Sequence, residues 1–60
     1  MAEFDDSEAR RIAEDLAGKY GNDALFYIAA RVERATEIGD DIAQAIWLKV
    51  QVSTTALLRR

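Results

Sequence analysis

Residues 40–60 read DDIAQAIWLKVQVSTTALLRR, and neither Gly nor Pro occurs among them. Nothing in the stretch breaks a helix of about five turns. Gly39, just before it, can close an earlier helix in the left-handed conformation, and Asp40 or Asp41 can cap the new one. Ile42, Ile46, Val50, Ser53 and Leu57 recur at helical spacing and form the expected inward face, widened by Ala43 and Trp47. A second apolar set, Ala45, Leu48, Val52 and Ala56, lies roughly across the helix from Trp47. Only Gln44, Lys49, Gln51 and Thr55 interrupt the two. The surface helix of a monomer normally carries one apolar stripe. A helix apolar nearly all round needs cover nearly all round, from its neighbours or from a second molecule. Two short helices offer few large side chains for that purpose, which favours the second molecule.

Upstream, Asp5 and Glu8 stand at capping-box spacing, with Phe4 just before the cap. A first helix is expected over 6–19, with Ala9, Ile12, Ala13, Leu16 and Tyr20 inward. Arg10, Arg11, Glu14 and Asp15 face out, and Gly18 weakens the last turn. Gly21 is the expected stop, and Asn22 or Asp23 the next cap. A second helix is expected over 23–38, with Leu25, Ile28, Ala29, Val32, Ala35 and Thr36 inward and Tyr27, Arg31, Arg34 and Glu37 outward. Phe26 and Ala30 form an apolar shoulder. The third helix, over 40–59, is the longest. Short Gly-containing links turn neighbouring helices back on each other. The expectation is an all-α, three-helix domain, an antiparallel up-down-up bundle spanning 1–60 with 1–4 frayed, and helix three at an oligomer interface.

The chain has 60 residues, half of them hydrophobic, so one small globular domain is the upper limit. It has no Cys and no His, which excludes disulfides and zinc sites built on those ligands. Oligomerisation is the support left to a chain this short. The net charge of −3, from eleven acidic and eight basic residues, opposes binding to nucleic acid or to an anionic membrane surface. No apolar run has the length of a bilayer span, and Lys49 interrupts the most apolar segment. The acidic start lacks the basic-then-apolar pattern of a signal peptide, so a cytoplasmic location is expected.

Little chemistry is available. The commonest general base and the thiol nucleophile are both absent. Lys49 lies one turn before Ser53, a spacing open to a Ser–Lys pair, but an inward Ser53 and a solvated Lys49 account for the same residues. Glu33 and Glu37, with Glu14 and Asp15, read as solvated helix faces, because neither Glu-x-x-His nor an EF-hand loop is present. No catalytic, cofactor or metal residue is expected, and the chain is not expected to be an enzyme. Helix two, Gly39 and helix three have the outline of a helix-turn-helix. The would-be recognition positions, Asp41, Ile42, Ala43, Ile46 and Trp47, lack donors for base edges and phosphates.

Lys19-Tyr20-Gly21-Asn22-Asp23-Ala24, then Arg31, Ala35, Gly39-Asp40 and Trp47 with Val50, resembles a group of short alphaproteobacterial proteins of unknown function. Those carry a Tyr/His-Gly-Asp-Asp-Ala segment, an Arg in the next helix, a Gly-Asp turn and a following Trp. The resemblance spans residues 12–58, with Asn22 where Asp is usual. It implies a bacterial, cytoplasmic, helical protein and supplies no activity.

The function expected from the residues is that of a protein–protein interaction module, self-associating as a homodimer through helix three and the Phe26 shoulder. The expected contact residues are Phe26, Ala45, Trp47, Leu48, Val52 and Ala56. Trp47 has two readings, as the closing residue of the core or as an interface anchor. The alternative is a regulatory adaptor for a different protein, antitoxin-like or anti-sigma-like, with a helix-turn-helix DNA binder behind it.

Overall fold

The computed structural model describes residues 4–59, which are helical almost throughout, with no strand among the described residues. Most of the stretch expected to be frayed, residues 1–3, and Arg60 lie outside them. Helix α1 spans Asp6–Tyr20, α2 Ala24–Ile38 and α3 Asp41–Leu58.

The start of α1 follows from its cap. The Asp5 side chain accepts from the Glu8 backbone N–H at 3.0 Å, and Asp6 and Glu8 place negative charge on the first turn. Gly21, at φ 58°, closes the helix through its own N–H to the Ala17 carbonyl. The link to α2 differs from the expected side-chain cap. Residues Gly21–Asp23 form a 3-10 turn, the Ala24 N–H bonds to the Gly21 carbonyl, and Asp23 makes no capping bond. A 3-10 turn running directly into a helix satisfies leading donors through the backbone, so no side-chain cap is required.

Helix α2 ends in a Schellman motif. Gly39 has φ 73° and ψ 25°, its N–H bonds to the Thr36 carbonyl at 3.2 Å, and the Asp40 N–H reaches the Ala35 carbonyl at 2.9 Å. Asp40 then caps α3 by accepting from the Ala43 N–H at 3.0 Å. Two residues thus stop one helix and start the next. Across that short link, α2 and α3 pack extensively against each other.

Helix α3 packs extensively on both α1 and α2, whereas α1 and α2 touch each other sparingly. The Cα extents, 32 × 27 × 16 Å, describe a flat body rather than a cylinder. The core joins Ala9, Ala13 and Leu16 of α1 to Ala24 and Ile28 of α2 and Val50 of α3. It is rich in Ala, which lets helices approach closely but buries little area per residue. Among the larger apolar side chains of the described residues, only Leu16, Ile28 and Val50 are buried, while Tyr20, Phe26, Ile38, Ile42, Leu48 and Val52 are exposed.

Of the expected inward face of α3, Val50 is buried and Ala43, Trp47 and Leu57 are half-buried, but the face is turned from the row Ile42, Ile46, Val50, Ser53. Ile42 is 76% exposed, Ile46 and Ser53 are half-buried, and Thr54 is fully buried. Steps of four drift around a helix by about 40° each. The line that stays on one side alternates four and three: Ala43, Trp47, Val50, Thr54, Leu57. Burying Thr54 leaves no polar orphan, because its hydroxyl donates to the Val50 carbonyl at 2.8 Å.

On α2, Thr36 and Ala29 are exposed rather than inward. The Thr36 hydroxyl donates to the Val32 carbonyl at 2.9 Å and accepts from Gln44 Nε2 at 2.8 Å, which ties α2 to α3 beside the turn. Tyr27, expected outward, is half-buried against the core. It stacks on Tyr20 at 5.2 Å between ring centroids and meets Trp47 edge-on at 6.2 Å. The Arg31 guanidinium lies 5.0 Å from the same ring and donates to Tyr27 Oη at 3.0 Å. The aromatic pairs recover packing that the Ala-rich core lacks.

Candidate interaction surface

The side of α3 opposite Val50 and Thr54 carries Ile42, Ala45, Leu48, Lys49, Val52 and Ala56, all of them exposed. Ile42 is 76%, Leu48 43% and Val52 72% exposed. Four of the expected contact residues, Ala45, Leu48, Val52 and Ala56, therefore come together on one stripe. Ile42, expected to face inward, joins them.

The other two do not. Trp47 is half-buried, packs on the core and takes the edge contact with Tyr27, so its indole is largely committed within the chain. Phe26, 77% exposed, stands two residues from Ala24 and from Ile28, both buried. At about 100° per residue it leaves α2 on the side opposite the core. The Phe26 ring and the α3 stripe thus point to different sides of the molecule and do not form one continuous surface.

The stripe is bordered by the start of α1. Lys49 Nζ reaches the Phe4 carbonyl at 3.5 Å and the Asp6 carboxylate at 3.9 Å. An open hollow of about 570 Å³ lies between Asp6 and Arg10 of α1 and Lys49, Val52, Ser53 and Ala56 of α3. A second, of about 400 Å³, lies between Phe4 and Asp41, Ile42, Ala45 and Lys49. Lys49 lines both hollows, so together they form a shallow, mostly apolar groove along α3 with a lysine near its middle.

Reactive geometry is sparse here. Lys49 and Ser53 share a hollow, and the ammonium is held by Asp6 and the Phe4 carbonyl. Among the described residues, no group of three or more carboxylates gathers to hold a metal ion. The ion pairs Arg10–Glu14, at 3.5 Å, and Lys19–Asp15, at 3.9 Å, are exposed and add little to stability. Among the described residues no helix is long and apolar enough to cross a membrane. The first two turns of the outward face of α3 carry Asp41, Ile42, Ala45 and Leu48 where a recognition helix needs donors.

Comparison with protein-family models, with curated proteins and with solved structures found no match to this chain.

Proposed function

We propose that this chain is a small bacterial, cytoplasmic interaction module that self-associates as a homodimer through α3. In this reading its helices run up-down-up, with α3 at the interface, and it has no catalytic activity, metal or cofactor of its own. The kinship with the short alphaproteobacterial helical proteins belongs to the same proposal. One observation carries it. The exposed side of α3 holds Ile42, Leu48 and Val52, while among the described residues the core buries three apolar side chains of that size or larger, Leu16, Ile28 and Val50. A helix that leaves three large apolar side chains exposed along one side gains from covering them. Sedimentation equilibrium over a range of concentrations is the test. A dimer persisting to low micromolar concentration supports the proposal, and a monomer throughout overturns it.

A second reading is favoured by the separate position of Phe26. Its ring is 77% exposed on the side of α2 opposite the buried Ala24 and Ile28. That placement suits a regulatory adaptor that holds a different protein by this residue. Phe26→Ala should then abolish recovery of a specific host protein while leaving the solution mass of the chain unchanged.

A further inference from the structure

The stripe on α3 has an internal order. Ile42, Ala45, Lys49, Val52, Ala56 and Arg59 follow one another at three, four, three, four and three residues, and all six are exposed. That alternation is the spacing of a two-helix seam, in which side chains of one helix enter gaps in another. It is self-complementary, so a second copy of the same helix fits it.

Charge selects the direction. Asp41 stands at the N-terminal end of the stripe, Lys49 near the middle and Arg59 at the C-terminal end. A parallel second copy sets Asp41 beside Asp41, Lys49 beside Lys49 and Arg59 beside Arg59. An antiparallel copy sets each Asp41 near the other chain's Arg59 and also opposes the two helix dipoles. The Lys49 ammonium is drawn aside by Asp6 at 3.9 Å and by the Phe4 carbonyl at 3.5 Å. Its methylene stem, rather than its charge, is then offered to the seam.

We infer that the partner is a second copy lying antiparallel along α3. Ala45 of one chain faces Ala56 of the other, Ile42 faces Arg59 and Lys49 faces Val52. This rests on the self-association proposed above. The small side chains at Ala45 and Ala56 let the two helices approach closely. Helix α3 has 18 residues and is about 27 Å long. A seam of that length falls at the low end of stable interfaces, so the pairing is reversible.

The chain has no cysteine, so introduced thiols report without background. Ala45→Cys and Ala56→Cys are prepared separately, checked for native helicity by circular dichroism, then oxidised alone and as a mixture. The expected result is a shift to disulfide-linked dimer in the mixture and little in either variant alone. Ile42→Cys mixed with Arg59→Cys gives the same pattern if the first pair reacts poorly. Cross-linking of each variant with itself overturns the antiparallel arrangement and leaves self-association standing. A dimer by sedimentation that cross-links in neither pattern removes α3 as the seam. A monomer at every concentration overturns both the self-association and the arrangement built on it.

Discussion

Gly18 and Gly39 receive the same substitution with opposite signs. Gly18 lies within α1, and a Cβ built there meets nothing within 4 Å. Gly18→Ala therefore removes unfolded-state freedom without a clash and should stabilise by about 0.5–1 kcal/mol. Gly39 has equal space but a φ of 73°, the left-handed region that closes the Schellman motif. Gly39→Ala should destabilise by about 1 kcal/mol or more. Urea denaturation of the two variants checks both, and equal shifts in midpoint would contradict the account. These positions were partly legible in the residue order, because a Gly just before Asp-Asp reads as a stop and a start. The same reading gave Asn22 or Asp23 a cap that the 3-10 turn makes unnecessary. Both solutions satisfy the same orphan N–H groups, and which one forms depends on how sharply the chain must turn.

At the scale of the element, α3 has two apolar lines offset around one helix. One, Ala43, Trp47, Val50, Thr54 and Leu57, faces the other helices. The other, Ile42, Ala45, Leu48, Val52 and Ala56, faces away. That this helix is apolar on two sides was readable from residues 40–60. The phase of the inward line was not. Ile42 and Val50 share a row in sequence yet differ from 76% to 0% exposure, because a row of fours winds around the axis. Leu48→Glu combined with Val52→Lys tests the outward line. Both residues are exposed, so the fold of one chain should survive with helicity intact. Sedimentation should show the proposed dimer lost, with apparent stability at high protein concentration reduced by several kcal/mol at most. Unchanged mass and stability would remove this face from the interface.

For the whole molecule, stability and assembly are expected to be linked. The buried core rests on three larger apolar side chains and several alanines, so the monomer should be only marginally stable. If folding is completed by a second copy, the thermal midpoint rises with protein concentration by mass action. Differential scanning calorimetry across a hundredfold concentration range should show that rise, and a constant midpoint would mean the core suffices alone. The residues by themselves determined the all-helical class, the three helical segments and their Gly stops, and the excess of apolar surface on the last helix. Those features depend on local capping and on periodicity, which act within a few residues. Tertiary structure decided that α1 and α2 meet mainly through α3 and that Thr54, not Ser53, is buried. It also turned Tyr27 toward the core, gave Trp47 the first of its two expected places, against the core, and left Phe26 on the side of α2 opposite Ala24 and Ile28. Each of these depends on where helices distant in sequence approach one another, and helical spacing fixes a residue's angle around its own axis but not the direction from which a neighbour arrives.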